Sequence, residues 1–267
     1  MLTRIAAFLC RFGPIRQAFW KRWYEFLARS YREDDWIFMN YGYAPDGEAR
    51  ALSLDPQDEP DRWCIQLYHF VATLADLSGK EVLEVGSGRG GGASYVARYL
   101  GPASVTGVDF SANAVEFCRK RHRVKGLTFK EGMAEALPFG DASFDIVLNV
   151  ESSHCYGSME SFLREVRRVL RSSGLFLYAD LRGGESLPSW LTQLKTSGLQ
   201  VISELDITPN VLAALERDSD RKAALIHKLI PGWLLASFSD FAGTRGSAIY
   251  EGFRSRRYVY RAFVLRK

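Results

Sequence analysis

The sequence predicts a doubly wound α/β fold with seven strands, and three features carry the prediction. An apolar run at 81–85 breaks into a glycine-rich turn at 86–92. From residue 81 onward, strand-like apolar segments alternate with segments of helical length. Acidic residues, Glu84 and Asp109, lie near the ends of the first two strand-like segments. Ligands of such folds bind at the carboxyl ends of the strands, so this edge is where a site is expected.

The individual elements follow in order along the chain. Residues 1–30 and 62–77 predict helices, and 34–60, rich in Asp, Pro and Gly, predicts a loop segment. Strands are expected at 81–86, 103–109, 127–130, 144–149, 174–180, 199–206 and 257–265. Helices are expected at 91–100, 111–123, 158–171 and 186–197, with Ser111 as an N-cap. Residues 208–247 interrupt the alternation with two helix-like runs, 210–217 and 221–229, placed to cover a substrate.

Length and composition indicate one globular domain of 267 residues, 47% hydrophobic and 25% charged. We expect a helical N-terminal and lid segment at 1–79, a cofactor-binding core at 80–206, a helical lid insertion at 207–256 and a final strand at 257–267. A net charge of +4 is too small to indicate a nucleic-acid partner. The four cysteines are far apart, which predicts reduced thiols, no metal site and a cytoplasmic location.

The first helix has an apolar face formed by Leu2, Ile5, Leu9 and Phe12. Its primary interpretation is packing on the protein, and a peripheral membrane contact is the alternative. No run of about 18 apolar residues predicts a membrane span. The sequence does not specify the oligomeric state. His122, inside a basic run at 119–125, is expected on the surface.

The glycine turn predicts a nucleotide-like cofactor. Gly86 and Gly88 let the backbone approach a ligand, and the following helix start offers free N–H donors. Asp109, at the end of the second strand, is suited to accept hydrogen bonds from ribose hydroxyls. A nicotinamide dinucleotide is the first candidate for this pattern. Glu84, just before the first glycine, instead favours S-adenosylmethionine, and NAD remains an alternative.

Longer segments resemble the class I S-adenosylmethionine-dependent methyltransferases, which have a seven-stranded Rossmann-like sheet. The core of that resemblance is Glu84-x-Gly86-x-Gly88, Asp109, the run Ala134-Glu135-Ala136-Leu137-Pro138-Phe139, and Phe144-Asp145. Across the whole chain, the sequence resembles the phthiotriol/phenolphthiotriol dimycocerosates methyltransferases. The segments that carry this closer resemblance are Phe38-x-Asn40-x-x-Tyr43, Leu148-Asn149-Val150-Glu151, Ser153-His154-Cys155-Tyr156 and Tyr178-Ala179-Asp180-Leu181-Arg182.

The resemblance implies a cofactor site for S-adenosylmethionine, with S-adenosylhomocysteine as the product. The residues expected to bind it are Asn40, Tyr43, Glu84, Gly86, Ser87, Gly88, Asp109, Phe110, Asn113, Met133, Ala134, Glu135, Asn149 and Val150. The family usually has an Asp where this chain has Met133. Glu135 or nearby backbone is therefore expected to hold the adenine.

The resemblance also implies O-methylation, which requires removal of the acceptor's proton. His154 is the expected base, with Asp180 at the next strand tip as its partner. Aromatic side chains in the lid segments predict an apolar acceptor pocket for a lipid, polyketide or other small molecule, and we expect Trp36, Tyr156, Trp190, Trp233 and Phe238 there. C-methylation, carboxyl methylation and a non-catalytic cofactor-binding protein are the alternatives. No metal ligand is expected.

Overall fold

The computed structural model describes residues 36–47 and 52–267. Its centre is one seven-stranded sheet in the order β3-β2-β1-β4-β5-β7-β6. Strands β1 to β5 pair in parallel, and β7 runs antiparallel between β5 and β6. The strand order reverses direction between β1 and β4, which places a crevice at their carboxyl ends. The doubly wound, seven-stranded fold expected from the sequence is confirmed.

The strands agree closely with the sequence pattern. They are β1 Glu81–Val85, β2 Ser104–Asp109, β3 Leu127–Glu131, β4 Phe144–Val150, β5 Leu170–Gly183, β6 Gln200–Asp206 and β7 Tyr258–Arg266. The helices are α1 Arg62–Ala72, α2 Gly91–Tyr99, α3 Ala112–Arg121, α4 Met159–Val169, α5 Leu187–Thr196, α6 Thr208–Leu229, α7 Leu235–Ala242 and α8 Ala248–Arg254. Short 3-10 turns lie at Glu59–Asp61, Ser153–Cys155 and Gly232–Leu234.

Apolar cores cover both faces of the sheet. On one face, buried side chains of α1 and α2, such as Ile65 and Tyr95, pack against the strands. On the other face α4 and α5 contribute Phe162, Val166 and Trp190. A third, smaller cluster joins α6 to α7 through Ile226, Ile230 and Phe238. The third cluster lies beyond the sheet proper, where the insertion between β6 and β7 adds a separate apolar surface.

Several sequence expectations are corrected by the structure. The two helix-like runs at 210–217 and 221–229 form the single helix α6, because Asp218 accepts two hydrogen bonds from Arg221 within the helix. Strand β5 begins at Leu170, four residues early. His122 is buried rather than exposed, and its Nε2 lies 2.8 Å from the carbonyl oxygen of Arg89. Ser111 caps α3 as expected, accepting from the N–H of Ala114.

Some expectations concern residues that the structure does not describe. Residues 1–35 and 48–51 lie outside the described residues. They include the predicted helix at 1–30 and its apolar face. Within the described ranges, no helix is both long enough and apolar enough to cross a membrane. The same ranges hold no cluster of three or more His, Cys, Asp or Glu side chains suited to a metal ion.

Candidate active site

The turn after β1 is held open by its glycines. Gly86 and Gly88 have φ angles of +73° and +51°, a region that favours glycine. The N–H groups of Gly86 and Ser87 donate to the Val108 carbonyl at 2.8 and 3.0 Å, which ties the turn to β2. A Cβ at Gly86 would come 2.6 Å from the Tyr156 hydroxyl oxygen. The turn therefore requires glycine at this position, both for its φ and for its close approach to residues that line the cavity above it.

A cavity of about 950 Å³ opens above this turn at the carboxyl ends of β1, β2 and β4. Residues 36–40 form its opposite wall. Of the residues expected to bind cofactor, the cavity wall includes Asn40, Gly86, Ser87, Gly88, Asp109, Phe110 and Val150. Trp36 and Tyr156, expected to contact the acceptor, also lie on this wall.

Asp109 is fixed at the end of β2 with its carboxylate at the cavity. Its oxygens accept one hydrogen bond each, from the N–H of Gly88 and the N–H of Ser111, both at 2.9 Å. Burial raises the pKa of Asp109 above its usual range, and the two backbone donors oppose that shift. Each oxygen keeps a further lone pair, so the group is able to accept hydroxyl donors of a ligand.

Glu84 lies behind the turn rather than on the cavity wall. It is 1% exposed, and its Oε1 accepts a 2.7 Å hydrogen bond from the Tyr68 hydroxyl. Tyr68 itself lines the cavity. Burial raises the pKa of Glu84 to about 8, against the opposing hydrogen bond from Tyr68. Glu84 is thus a buried carboxyl whose charge state responds to a positive ligand nearby.

Three buried polar atoms around the turn have no hydrogen-bond partner among the described residues: Glu84 Oε2, Ser87 Oγ and Asn149 Oδ1. Buried polar groups are nearly always paired, so a cluster of three points to a missing polar ligand. Asn149 is fully buried, and its amide donates to the Val85 carbonyl at 2.8 Å. The glycine cradle and these atoms fit a cofactor with amino, carboxylate and hydroxyl groups.

Other residues expected at the cofactor are not on the cavity wall. Tyr43 stacks on Phe70, with ring centroids 4.4 Å apart. Glu135 turns away and accepts hydrogen bonds from the N–H groups of Gly157 and Ser158, at 2.7 and 3.4 Å. The Glu135 carboxylate therefore lies at the N-terminal end of α4, a position that gives no support to a contact with adenine. Asn113, Met133, Ala134 and Asn149 are likewise absent from the wall.

A second, more apolar cavity of about 630 Å³ adjoins the first. Helices α6 and α7 supply much of its wall, including Ile226, Ile230, Phe238 and Phe241. Trp36, Phe38, Met39 and Asn40 line both cavities, so one short segment separates them. This arrangement suits a polar cofactor in one chamber and an apolar acceptor in the other.

Two of the aromatic residues expected at the acceptor lie elsewhere or cannot be assigned. Trp190 is 2% exposed and packs between the rings of Tyr178 and Phe263, on the opposite face of the sheet from α6. It lines neither cavity, because α5 directs its apolar face into that core. Trp233 belongs to the Gly232–Leu234 turn, and its side chain lies outside the described residues.

His154 and Asp180 meet at the tips of β4 and β5, as the sequence pattern expects. The His154 Nδ1 lies 2.8 Å from Asp180 Oδ1, and the His154 backbone N–H donates to Oδ2 at 3.0 Å. Arg182 forms an ion pair with the same carboxylate at 3.2 Å. His154 lies on the wall of neither cavity but borders a polar groove with Ser158 and Arg182.

The charges of this pair favour an ionised state. Burial opposes the charge of Asp180, but His154 and Arg182 outweigh burial and hold the pKa of Asp180 well below its usual range. Burial alone would lower the pKa of His154, but Cys155 and Asp180 outweigh it and raise that pKa well above its usual value. The pair therefore favours a protonated imidazole beside an ionised carboxylate.

Glu151 is a residue that the sequence analysis did not single out as part of the site. It lines the first cavity, with a φ of +50° that is uncommon for a residue other than glycine. Its Oε2 accepts from the N–H of Tyr41 at 2.9 Å and from the hydroxyl of Tyr260 at 3.1 Å. Burial raises its pKa to about 8, against the hydrogen bond from Tyr41 and the charge of His154. Strained backbone of this kind is concentrated at functional sites.

Comparison with known proteins agrees with this geometry. A family model described as a methyltransferase domain matches residues 83–178. A probable phthiotriol/phenolphthiotriol dimycocerosates methyltransferase 2 of Mycobacterium ulcerans is 45% identical over 85% of this chain and 88% of that protein. A fatty-acid O-methyltransferase of Mycolicibacterium smegmatis is 41% identical over 91% of this chain and 88% of that protein.

Solved structures show the same fold at much lower identity. The geranyl diphosphate C-methyltransferase of Streptomyces coelicolor, in complex with S-adenosyl-L-homocysteine, superposes with a TM-score of 0.67 at 17% identity, over 94% of this chain and 97% of that chain. Sheet order, glycine turn and comparisons together define a class I methyltransferase whose cofactor is S-adenosylmethionine. More narrowly, the chain belongs to the family of the phthiotriol/phenolphthiotriol dimycocerosates methyltransferases.

Proposed function

We propose that the enzyme transfers a methyl group to a hydroxyl of a long, mainly apolar acceptor of lipid or polyketide type. The observation that carries the proposal is the pair of adjoining cavities. One lies on the glycine turn with Asp109 on its wall, and the other is more apolar and walled by side chains of α6 and α7. The names of the two relatives, a dimycocerosates methyltransferase and a fatty-acid O-methyltransferase, support a lipid acceptor.

The residues of the first cavity are suited to hold the cofactor. Asp109 would accept the ribose hydroxyls, and the turn at Gly86 and Gly88 would receive the rest of the molecule closely against the backbone. Glu84, with Tyr68, would face its positive charge. Bound S-adenosylmethionine supplies a methyl group that is already activated on a sulfonium. The protein's remaining work is to orient the acceptor oxygen, exclude water and remove a proton.

We assign the role of proton acceptor to Glu151 rather than to His154, the base expected from the sequence. Glu151 lines the cofactor cavity, whereas His154 does not, and the raised pKa of Glu151, about 8, makes its carboxylate a stronger base whose ionised fraction grows as the pH rises towards 8. The acceptor O–H bond breaks, and its proton forms an O–H bond on the Glu151 carboxylate. With the cofactor bound, the acceptor oxygen would bond to the methyl carbon as the bond from that carbon to the sulfonium sulfur breaks, and S-adenosylhomocysteine would leave. His154 and Asp180 then act as positioning residues, because the His154 charge lowers the pKa of Glu151.

A paired substitution tests this assignment. Glu151→Gln keeps the shape of the side chain and is expected to lower turnover of a long-chain alcohol by about 10²–10⁴-fold. His154→Ala is expected to lower turnover less and to move the rising limb of the pH–rate profile upward, because a positive neighbour of Glu151 is lost. Exposed Glu160→Gln serves as the control. If His154→Ala loses all turnover while Glu151→Gln keeps normal turnover, His154 and not Glu151 is the proton acceptor.

Carboxyl methylation is the second candidate, because the relative from M. smegmatis is named a fatty-acid O-methyltransferase. A carboxylate has no proton to lose at neutral pH, so Glu151→Gln would leave its methylation nearly unchanged. Labelled S-adenosylmethionine with long-chain alcohols and fatty acids of equal length, read by mass, separates the two. Label in alcohols alone supports the hydroxyl proposal, and label in fatty acids alone contradicts it.

The proposal also places the enzyme in the cytoplasm, acting on a small molecule or lipid rather than on nucleic acid. Support comes from the small net charge of +4 and from Cys64, Cys118 and Cys155, which are free and buried. Fractionation of cells that express the tagged chain tests the location. Recovery in the membrane pellet that is released by salt would instead support the peripheral contact.

A further inference from the structure

The glycine turn is held from behind by the end of helix α3, which lies outside both cavities. The Cys118 thiol donates to the Gly88 carbonyl at 3.3 Å, and His122 Nε2 lies 2.8 Å from the Arg89 carbonyl oxygen. A Cβ at Gly90 would come 2.8 Å from the His122 ring and 2.9 Å from the Cys118 sulfur. The turn that receives the cofactor is therefore shaped by two side chains that do not line its cavity.

His122 is a buried histidine whose ring has a defined role in this contact. Only 7% of it is exposed, and its ring packs against Phe117 and Phe129, with centroids 6.5 and 5.8 Å away. A carbonyl oxygen only accepts hydrogen bonds, so Nε2 carries the proton of the bond to Arg89. Burial and the charges of nearby arginine side chains lower the pKa of His122, against the hydrogen bond to the Arg89 carbonyl, which raises it. The ring is therefore mainly neutral at neutral pH, and its one N–H is committed to Arg89.

The bond from His122 fixes one particular peptide group. The Arg89 carbonyl and the Gly90 N–H belong to the same planar unit. Its carbonyl accepts from His122, and its N–H donates to the Ser87 carbonyl at 2.8 Å. Gly90 has a φ of +79°, and because glycine adopts positive and negative φ with similar ease, Gly90 itself does not fix this plane. Without the His122 donor, the buried Arg89 carbonyl would lose this partner, and rotation of the plane towards another donor would be favoured.

The orientation of this peptide group sets the direction in which helix α2 begins. Gly90 is the N-cap of α2, and Gly91 and Gly92 form the start of its first turn on the wall of the cofactor cavity. N–H groups in a first turn have no acceptor within the helix, and they favour an anion such as a carboxylate. Rotation of the peptide group before Gly90 would turn these N–H groups away from the cavity.

We propose that His122 is a positioning residue for the cofactor, and that its hydrogen bond to Arg89 directs the first N–H groups of α2 at the carboxylate of the cofactor's amino-acid end. The inference concerns cofactor binding alone and does not depend on the acceptor. The ribose end is held separately, because Asp109 takes its backbone donors from Gly88 and Ser111. Loss of the His122 donor is therefore expected to weaken binding of the amino-acid end selectively.

Calorimetric titration with two probes tests this selectivity: S-adenosylhomocysteine, which has the amino-acid end, and 5′-methylthioadenosine, which lacks it. His122→Leu removes the donor and is expected to weaken binding of S-adenosylhomocysteine about tenfold, or ~1.4 kcal/mol, and binding of methylthioadenosine by less than about twofold. His122→Gln places an amide N–H near the position of Nε2 and is expected to keep both affinities within about threefold of wild type. His122→Asn, whose amide nitrogen lies nearer the backbone than Nε2, is a second variant without this donor and should show the same selective loss.

A control separates positioning from a general loss of stability. Leu194→Ala removes buried apolar contacts on the other face of the sheet, so it should lower the Tm but bind both probes like wild type. Equal weakening of both probes in the donor-free variants would overturn the proposal, because it would indicate a general distortion of the cavity. Unchanged affinity for S-adenosylhomocysteine in those variants, or a loss of affinity in His122→Gln equal to theirs, would overturn it as well. The titrations contain no acceptor, so failure of the proposed hydroxyl methylation would leave their result unchanged.

Discussion

Replacing Gly86 by alanine tests whether the turn after β1 is the cofactor cradle. Gly86→Ala forces an alanine to a φ of +73° and places its Cβ against the Ser152 and Tyr156 hydroxyls. Two matched changes separate these effects. Gly79 has a φ of +69° with open space around it, so Gly79→Ala carries only the backbone strain. Gly92→Ala, within α2, carries no positive-φ strain but overlaps the Tyr68 ring, which lines the cavity, so it is a control for stability and not for binding.

The expected magnitudes follow from those geometries. An alanine in the left-handed region costs roughly 1–2 kcal/mol. Overpacking against fixed neighbours costs roughly a further 1–3 kcal/mol. We therefore expect Gly79→Ala to lower the free energy of unfolding by about 1–2 kcal/mol, and Gly86→Ala by about 2–5 kcal/mol. In a chain of this size each kcal/mol moves Tm by about 2–4 °C.

The decisive assay is cofactor affinity, not stability. Calorimetric titration with S-adenosylmethionine and S-adenosylhomocysteine, well below the Tm of each variant, is expected to give at least a tenfold weaker Kd for Gly86→Ala. Gly79→Ala should bind like wild type despite its lower Tm. Wild-type affinity in a destabilised but folded Gly86→Ala would refute the argument, because the added Cβ would then lie outside the bound cofactor.

Two further predictions follow from the carboxyl groups. Asp109→Ala should weaken S-adenosylmethionine binding at least tenfold by the same titration, and unchanged affinity would contradict the ribose assignment. Glu84 and Glu151, each with a pKa of about 8 against an ordinary 4.5, bind protons more tightly in the folded than in the unfolded chain. Their stabilising contribution is therefore complete below about pH 4.5 and is lost as pH rises through 8. The Tm of the cofactor-free protein should fall as the pH rises from 5 to 8, and it should fall less in Glu84→Gln. A Tm that rises over this range would contradict these pKa shifts.

Much of the fold could be read from local patterns. The apolar run into Gly86, and Asp109 at the end of the next strand, depend on short-range rules of strand, turn and helix start. These patterns place both groups at one edge of a parallel sheet, and the structure brings them to one cavity. The pairing of His154 with Asp180 follows for the same reason, because adjacent parallel strands end side by side.

The remaining features depend on tertiary contacts that no local pattern records. Glu151 ends one of the segments that carry the family resemblance, but no local pattern marks it as a site residue. It has a φ of +50°, and its carboxylate accepts hydrogen bonds from Tyr41 and Tyr260, each over 100 residues away. The wall of the second cavity joins Asp61 to Arg221 across 160 residues. The expectation that Trp190 contacts the acceptor rests on residue type alone, whereas α5 directs this side chain into the opposite core.

The segment at 36–40 has a thermodynamic consequence, since the same side chains border both cavities. It forms no helix or strand, and Asn40 anchors it through its amide to the Cys64 carbonyl. Any rearrangement of this partition on binding one substrate changes the free energy of binding the other. Because such coupling is reciprocal, the factor by which cofactor alters acceptor affinity must equal the factor by which acceptor alters cofactor affinity. In the proposed two-substrate reaction, the strength of this coupling would depend on a single stretch of chain.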